Sequence, residues 1–342
     1  MSGAGPVPPR HLLSLAELPS ATFEALLDAA ERLRGPRGRE PLLAGRRFGM
    51  VFFNASLRTR TAFEVASFDL GAHAVYLQVG GGLWSLEHRA GVVMDGPHAE
   101  HVKEGFGVLS RMLDGVGVRA FASLADAEED ARDAVIRSIA TASTVPVLNL
   151  ESAMDHPHQG LADALTVRRR FGGERVKVVV HWAPHVKPLP LAVPHAALLG
   201  FAHAGHDVVV AHPEGFDLDP ATLSAARGLA EARGGSVTVT HDRAAALRGA
   251  RVVYAKAWGS RALYGQPEAA AAAVRAHPAW TVTGRTMAAT EDGIFLHCLP
   301  VRRGVVVADE VLDGPQSLVL DQAENRLHVQ KATLCHAMGV EP

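Results

Sequence analysis

Two hydrophobic patterns alternate along the first half of the chain. Short apolar or β-branched runs predict buried strands, and apolar residues recurring every three or four positions predict amphipathic helices. The predicted strands are 49–53, 74–78, 115–120 and 145–150. The predicted helices are 15–33, 59–70, 101–113, 125–142 and 160–171. This repeated alternation is typical of a parallel sheet that is covered by helices.

A second series of the same kind begins after the break at Gly172-Gly173. Its predicted strands are 175–182, 207–211, 236–240, 251–255, 294–297 and 317–320. Asp219 and Pro220 are a typical cap and first-turn pair for a helix. A closing helix is predicted at 325–338, with Arg326 at its start and within reach of the first domain.

The length of 342 residues exceeds the usual size of one hydrophobic core, so two domains are expected. We therefore predict an α/β protein with two doubly wound parallel sheets. In such folds ligands bind at the carboxyl ends of the strands, so the cleft between the domains is the expected active site.

Composition and charge exclude several classes of protein. Hydrophobic residues make up 48% and charged residues 20%, which is typical of a globular chain. The formal net charge of −2 gives no global attraction to nucleic acid or to an anionic membrane. No apolar stretch is long enough to span a membrane. Two cysteines and a start without a basic and then apolar segment favour a reduced, cytoplasmic protein.

An anion site is predicted where Ser56-Leu57-Arg58-Thr59-Arg60-Thr61 follows a strand and opens a helix. Free backbone N–H groups, hydroxyls and two guanidiniums meet there, as phosphate binding requires. The alternative is that Ser56 is only an N-cap, that Thr61 and Glu64 form a capping box, and that both arginines lie on a solvated face.

The usual nucleotide-binding loops are absent from the sequence. Gly80-Gly81-Gly82 lacks the G-x-G-x-x-G spacing, and no glycine loop is followed by Gly-Lys-Ser or Gly-Lys-Thr. A nicotinamide enzyme and an ATPase are therefore not supported.

Further polar residues stand at the ends of other predicted strands. They are Arg119, Glu151, the run His156-Pro157-His158-Gln159, Lys256, and the run from His297 through Cys298, Leu299 and Arg302 to Arg303. Each has a plain alternative: the histidines as caps or loop residues, Lys256 as an exposed lysine, Cys298 as a small buried hydrophobe rather than a nucleophile.

Three closely spaced histidine pairs could also hold a metal ion. The pairs are 98 and 101, 156 and 158, and 181 and 185. No H-E-x-x-H pattern is present, and Pro184 interrupts the helical spacing of the last pair. We expect neither a metal nor a cofactor.

Three motifs in register resemble the aspartate and ornithine carbamoyltransferase family: Ser-Leu-Arg-Thr-Arg at 56–60, His-Pro-His-Gln at 156–159 and His-Cys-Leu-Pro at 297–300. The Ser-Met-Gly motif of the ordinary ornithine enzymes is missing. The segments 182–190, 254–258 and 324–326 instead resemble the N-acetylornithine and N-succinylornithine carbamoyltransferases. The resemblance implies a carbamoyl phosphate-binding domain at 1–155 and an acylornithine-binding domain at 156–342.

The resemblance also implies roles for individual residues. Ser56, Leu57, Arg58 and Thr59 would hold the phosphate, and Arg119 with His156 would stabilise the carbamoyl oxygen. Gln159 and the carbonyls of Cys298 and Leu299 would hold the carbamoyl amide, while Arg302 and Arg326 balance the dianion. His185 and Lys256 would bind the carboxylates of the acylated ornithine, Glu151 its amide, and Leu299 and Arg302 would also contact it.

Three further expectations come from the subfamily. It implies a homotrimer in which Trp84 completes a neighbour's site, and a knot made by the proline-rich loop 187–194. Ala99 stands where acetyl-type enzymes carry glutamate, and Val306 where they carry lysine, which favours a succinyl over an acetyl group, with free ornithine last. A binding protein without turnover and a metal hydrolase are the competing classes.

Overall fold

The computed structural model describes residues 10–342. Eleven strands are numbered here in chain order. They are β1 Arg47–Phe52, β2 His73–Gln78, β3 Leu86–Glu87, β4 Glu100–His101, β5 Gly115–Arg119, β6 Val147–Glu151, β7 Lys177–Trp182, β8 Asp207–Ala211, β9 Ser236–Thr240, β10 Val252–Lys256 and β11 Ile294–Leu296.

Thirteen α-helices connect and cover these strands. They are α1 Ser20–Arg32, α2 Arg58–Asp69, α3 Val102–Met112, α4 Ala127–Ala131, α5 Ala134–Ala142, α6 Pro157–Phe171, α7 Ala192–His203, α8 Pro220–Glu231, α9 Arg243–Leu247, α10 Pro267–Arg275, α11 Gly284–Ala288, α12 Asp309–Leu312 and α13 Val319–Ala337. Short 3₁₀ turns lie at Leu15–Glu17, Pro36–Arg39, Arg261–Leu263 and Pro278–Trp280.

The strands form two main parallel sheets, one in each domain. The first has the order β2-β1-β5-β6 and the second the order β11-β10-β7-β8-β9, while β3 and β4 pair separately. Every residue of β5, β6 and β10 is buried, as expected for strands with helices on both faces. The predicted α/β class with two parallel-sheet domains is confirmed.

In each sheet, successive strands are first added toward one edge and then toward the other. This switch lies between β1 and β5 in the first sheet and between β10 and β7 in the second. At such a point the connections leave to opposite sides, and a crevice opens at the carboxyl ends of the strands. Both crevices carry residues of the predicted site, since Arg119 ends β5 and Lys256 ends β10.

Helix α13 joins the two domains. It packs against α6 and also against α1 and α2. Asn325 donates to the Thr166 hydroxyl (2.8 Å), and Lys331 forms a buried ion pair with Asp69 (2.6 Å) and donates to the Gly38 carbonyl (2.8 Å). Helix α13 therefore contacts α1 and α2, which flank the first sheet in the sequence.

A close contact between α6 and α7 fixes the start of α6. A Cβ atom at Gly160 would lie 2.3 Å from the Ala196 carbonyl oxygen, and one at Gly200 would lie 2.4 Å from the Gly160 oxygen. Such distances leave room only for glycine, so the two backbones can approach closely. The turn that carries His156 and Gln159 is thereby held against the second domain.

Several element boundaries differ from the predictions. The predicted helix 15–33 is interrupted because Leu18 precedes Pro19, which disfavours helical backbone, and α1 begins only at Ser20. The predicted helix 125–142 breaks at Asp133, whose φ is 51°.

The predicted strand 317–320 is wrong. Ser317 makes one isolated bridge to Phe295, and α13 already begins at Val319. Arg326 therefore lies about two turns inside α13 rather than at its start. By contrast, the cap prediction is confirmed, since the Asp219 carboxylate accepts from the N–H groups of Ala221 and Thr222 (both 3.0 Å) at the start of α8.

No helix among residues 10–342 combines the length and the apolar character that a membrane crossing requires.

Candidate active site

A cavity of about 680 Å³ opens between the two domains at the carboxyl ends of their strands. It brings together fourteen of the predicted site residues. They are Ser56, Leu57, Arg58, Thr59, Arg119, Glu151, His156, Gln159, His185, Lys256, Cys298, Leu299, Arg302 and Arg326. The residues come from positions far apart in the sequence, so the fold itself assembles the site.

The two arginines at the start of α2 face different surroundings. Arg60 is exposed, donates to Glu64 (2.9 Å) and lies over the Tyr76 ring. Arg58 lines the cavity, and its Nε atom is buried without a hydrogen bond within the described residues. Burial lowers the pKa of Arg58. The alternative of a solvated face thus describes Arg60 but not Arg58.

Ser56 and Thr59 complete the edge of the cavity at this helix. The Ser56 hydroxyl accepts a hydrogen bond from the Thr59 N–H (3.2 Å), so Ser56 does cap the first turn, as the alternative supposed. The Thr59 hydroxyl accepts from Arg326 NH2 (2.5 Å). Together with Arg58, these groups direct donors and positive charge at one point beside a helix N-terminus, which is suited to phosphate.

Arg119, Glu151 and His156 form the next group. Arg119 NH1 donates to Glu151 Oε2 (2.5 Å), and His156 Nε2 lies 3.7 Å from the same oxygen. The pKa of His156 is lowered well below its usual value by burial and then by Arg326 and Arg119, so its ring is neutral at pH 7. A neutral imidazole beside a guanidinium can stabilise an oxygen that gains negative charge.

The backbone is strained at two residues that line the cavity. Glu151 has a φ of 135° and Leu299 a φ of 56°, although neither is glycine. Near Glu151 the pairing register of β5 and β6 also shifts, at Val118 and Arg119. Non-glycine residues with such angles cluster at functional sites, where the surrounding fold holds them.

Gln159 and Arg326 meet in the wall of the cavity. Arg326 NH1 donates to Gln159 Oε1 (3.2 Å), and Gln159 Nε2 donates to the buried Asp163 (2.7 Å). Burial and the nearby Arg119 lower the pKa of Arg326 to about 10, so it remains a cation at neutral pH.

The second domain supplies His185, Lys256, Arg302 and the Cys298–Leu299 segment. Arg302 Nε donates to His185 Nε2 (3.1 Å), which leaves the His185 proton on Nδ1, 2.9 Å from the Lys187 carbonyl. Burial lowers the pKa of His185 and raises that of Cys298. Cys298 is therefore a neutral thiol and not a thiolate nucleophile.

The charge balance of the cavity is strongly positive. Six cationic side chains line it, and within residues 10–342 Glu151 is the one carboxylate that does so. The cations are Arg58, Arg119, Lys187, Lys256, Arg302 and Arg326. This distribution fits a small ligand that carries several negative charges. In the same part of the chain, no three His, Cys, Asp or Glu residues are grouped as metal ligands.

Two predicted site residues lie outside this cavity. Trp84 is 57% exposed and donates from Nε1 to Glu100 (2.7 Å), and Ala99 is exposed in the same region. Val306, the other position that bears on the acyl group, is buried in a hydrophobic cluster with 2% exposure. None of the three lines the cavity.

The sequence reasoning missed several residues that line the cavity. They are Phe121, Lys187, Leu189, Pro190 and Val193. The Arg119 guanidinium lies over the Phe121 ring, with its central carbon 4.4 Å from the ring centroid. The position of Phe121 two residues after a strand-end arginine was an available signal. The others belong to the proline-rich loop, which was used for the subfamily resemblance and for the knot but not for individual site residues.

Comparison with known proteins identifies the family. Residues 10–169 match the carbamoyl-P binding domain, and residues 192–337 the Asp/Orn binding domain, of the aspartate/ornithine carbamoyltransferases. The chain belongs to this family. It is an enzyme, a carbamoyltransferase of the acylornithine type, as its most similar relatives indicate.

Both acyl types occur among these relatives. The N-acetylornithine carbamoyltransferase of Xanthomonas campestris pv. campestris is 42% identical, over 96% of this chain and 98% of the relative. The N-succinylornithine carbamoyltransferase of Bacteroides fragilis is 38% identical, over 81% of this chain and 82% of the relative.

Solved structures of acetylornithine transcarbamylases are also similar to this chain. An acetylornithine transcarbamylase complexed with acetylcitrulline has a TM-score of 0.93 and 41% identity, covering 96% of this chain and 98% of its own. A variant N-acetyl-L-ornithine transcarbamylase, complexed with carbamyl phosphate and N-succinyl-L-norvaline, also has a TM-score of 0.93 at 41% identity, over 96% of this chain and 99% of its own.

Proposed function

We propose that the enzyme transfers the carbamoyl group of carbamoyl phosphate to the side-chain amine of N-succinyl-L-ornithine, giving N-succinyl-L-citrulline and phosphate, in arginine biosynthesis. The alternative acceptor is N-acetyl-L-ornithine, and after it ornithine. The observation that carries the proposal is the single cavity in which six cations face one carboxylate. A dianionic donor and an acceptor with carboxylates and N–H groups match that balance.

The donor's phosphate lies at the start of α2 in this mechanism. Ser56, Arg58, Thr59 and the backbone N–H of Leu57 hold it, and Arg326 adds charge from α13. Because the phosphate gains charge as it leaves, these contacts strengthen in the transition state and accelerate the reaction.

The carbamoyl group points away from that helix toward β5 and β6. Arg119 and the neutral His156 face its oxygen, which becomes negative in the tetrahedral state. The carbamoyl NH₂ is held by the oxygen of Gln159 and by the carbonyls of Cys298 and Leu299. No covalent enzyme intermediate is formed, which agrees with the neutral, buried thiol of Cys298.

The acceptor enters from the second domain, where Lys256 and Arg302 bind its carboxylates and Glu151 receives its N–H groups. His185 lies beside this site and orients Arg302 by accepting from its Nε. The acceptor's amine has an ordinary pKa of about 10.4 and must lose a proton before attack. That first proton passes to solvent. The neutral amine nitrogen then bonds to the carbamoyl carbon, the bond from carbon to the phosphate oxygen breaks, and the leaving phosphate takes the second proton from the nitrogen.

We further propose a homotrimer in which Trp84 and Ala99 complete a neighbour's cavity. Two features support this assembly. Trp84 and Ala99 lie outside the cavity of their own subunit, and the apolar side chains of Leu57 and Phe68 on the α2 side are 75% and 82% exposed. Apolar surface of this kind marks an interaction site.

The proposed knot would involve the proline-rich loop 187–194. The chain after β10 passes close to it, since the Gly259 N–H donates to the Leu189 carbonyl (3.0 Å) and a Cβ at Gly259 would lie 3.0 Å from Pro188. An experimental chain trace through this loop tests the proposed knot.

A cytoplasmic location is supported by the two cysteines, which are buried and unpaired.

The choice of a succinyl group rests on Ala99. At this position a glutamate would crowd and repel the far carboxylate of a succinyl tail, and alanine does neither. The test supplies carbamoyl phosphate with ornithine, N-acetylornithine or N-succinylornithine and measures kcat/KM for citrulline-type product. We expect N-succinylornithine to be preferred by roughly tenfold or more.

Two variants at residue 99 sharpen this test. Ala99→Glu should reverse the preference toward N-acetylornithine, whereas Ala99→Ser, which adds no charge and little volume, should keep it. A preference for N-acetylornithine in the unchanged enzyme would replace the succinyl assignment by the alternative. Absence of carbamoyl transfer to all three acceptors would refute the proposed function itself.

A further inference from the structure

A row of buried hydrogen bonds lies behind the wall of the cavity and connects three segments of the site. Gln159 and Asp163 stand one turn apart on α6, and Gln322 and Arg326 stand one turn apart on α13. Residues four apart on a helix share a face. The two faces meet, and the four side chains bond to one another in sequence.

The first end of the row is a backbone group. The N–H of His297, at the end of β11, donates to Gln322 Oε1 (2.9 Å). A backbone N–H is always a donor, so it fixes the Gln322 amide with its oxygen toward His297 and its NH₂ toward Asp163. Gln322 Nε2 accordingly donates to Asp163 Oδ1 (2.5 Å).

The other end is also a donor. Arg326 donates to Gln159 Oε1 (3.2 Å), which turns the Gln159 NH₂ toward Asp163 Oδ1 at 2.7 Å. Both glutamine amides thus present donors to the same oxygen. The row is satisfied only if residue 163 offers an acceptor at that point, and a carboxylate oxygen can accept both bonds.

From this arrangement we infer that Asp163 and Gln322 are positioning residues, which hold the Gln159 amide with its oxygen toward the cavity so that it accepts from the carbamoyl NH₂ of the donor substrate. The inference rests on the proposed function, because it assigns a task to the contact between Gln159 and carbamoyl phosphate. Asp163 and Gln322 do not line the cavity and act only through Gln159.

The consequence is selectivity for an amide. Acetyl phosphate has a methyl group where carbamoyl phosphate has NH₂, so it gains nothing from a correctly oriented Gln159 oxygen. Loss of the Gln159 orientation therefore weakens the binding of carbamoyl phosphate but not that of acetyl phosphate. General damage to the fold or to the phosphate contacts weakens the binding of both.

The experiment measures KM for carbamoyl phosphate and the inhibition constant of acetyl phosphate in the full-length enzyme and its variants. Asp163→Leu removes the carboxyl that accepts from Gln159, and Gln322→Leu removes the amide that donates to Asp163. Leucine has a similar side-chain size in both cases. Each variant should reduce the preference for carbamoyl phosphate over acetyl phosphate roughly 5- to 10-fold, the usual effect of one lost hydrogen bond. The inhibition constant of acetyl phosphate should stay within about twofold.

Asp163→Asn is the matched control. Its amide retains one acceptor oxygen for the two glutamines, and the new NH₂ can donate to the hydroxyl oxygen of Tyr254, whose side chain lies beside the Asp163 carboxyl. This variant should keep most of the preference. In a Gln159→Ala background, Asp163→Leu should cause no further loss of preference, since its effect passes through Gln159.

The inference would be overturned if the leucine variants bound carbamoyl phosphate and acetyl phosphate more weakly to the same extent. It would also be overturned if Asp163→Leu caused a further loss of preference in the Gln159→Ala background. If Asp163→Leu does not fold, Gln322→Leu carries the same comparison. The proposed function fails in a different way, because then the unchanged enzyme transfers no carbamoyl group to any of the three acceptors.

Discussion

Arg119 and Glu151 form a buried ion pair between the neighbouring ends of β5 and β6, with Arg119 NH1 2.5 Å from Glu151 Oε2. The same Glu151 oxygen lies 3.7 Å from His156 Nε2. Glu151 thus holds the cation that faces the carbamoyl oxygen in the proposed mechanism, and it brings a negative charge to the proposed acceptor side of the cavity.

Glu151→Gln should impair the acceptor substrate more than the donor. The charge that receives the acceptor's N–H groups is lost, and a charge-assisted hydrogen bond contributes about 1.5–3 kcal/mol, so kcat/KM for the acylornithine should fall roughly 10- to 150-fold. Inhibition by inorganic phosphate should be unchanged or stronger, because a nearby negative charge has been removed. Weaker inhibition by phosphate would contradict this division of roles.

Arg58→Ala should remove more than about 3 kcal/mol of transition-state stabilisation, since a cation that contacts the leaving phosphate is lost. That corresponds to a fall of roughly 100-fold or more in kcat/KM for carbamoyl phosphate. Arg60→Ala is the matched control on the same helix. Arg60 is exposed and paired with Glu64, so its loss should change kcat/KM less than about twofold. Similar losses in the two variants would refute the proposed placement of the phosphate.

Mixed oligomers test whether Trp84 acts on a neighbouring subunit. Trp84→Ala and Arg58→Ala should each be nearly inactive alone. If each site combines Arg58 of one subunit with Trp84 of the next, random mixing at equal amounts leaves about one site in four intact. The mixture, dissociated and reassembled, should therefore recover roughly a quarter of the activity. Recovery of no activity would place both side chains in the same subunit.

Buried histidines should make the enzyme less stable in mild acid. The pKa is lowered well below the usual value for His156 and His297, to about 3 for His158 and His181, and to about 4 for His195 and His206. In each case burial is the main cause. Folded, these rings stay neutral, whereas the unfolded chain binds protons to them below about pH 6.5.

The free energy of unfolding should therefore fall as the pH drops from about 6.5 to 4. Three buried carboxyls act in the opposite direction, because burial raises the pKa of Asp133 to about 6 and of Asp155 and Asp163 to about 7. The six histidines outnumber them. Urea unfolding across this range measures the slope, and a stability that is constant or rises toward pH 4 would contradict the prediction.

The strands and the cavity were predictable from sequence because their signals are local. Apolar runs marked the nine strands of the two main sheets, and polar residues directly after several of them marked the site. Arg119 and Lys256 could be placed by this rule alone, since carboxyl ends of parallel strands meet at one edge. The boundary at Asp133 gave no such signal, because a left-handed aspartate leaves the apolar pattern unchanged.

What could not be predicted depends on contacts between distant segments. Residues 317–320 have a strand-like composition, yet Val319 begins a helix whose faces are buried against both domains. Asp163 and Gln322 lie 159 residues apart and appear in sequence as ordinary polar positions of two helices. Trp84 could be named only by resemblance, since it lies outside the cavity and its hydrogen bond to Glu100 indicates no role there.

The bridging position of α13 has a consequence for synthesis of the chain. Arg326 and Lys331 reach the first domain from a helix that follows both sheets in the chain. The N-terminal domain can form its sheet early, as domains do during translation. The proposed anion pocket nevertheless lacks one guanidinium until residue 326 has been made, so a nascent or truncated polypeptide that ends before this residue should bind carbamoyl phosphate more weakly than the enzyme does.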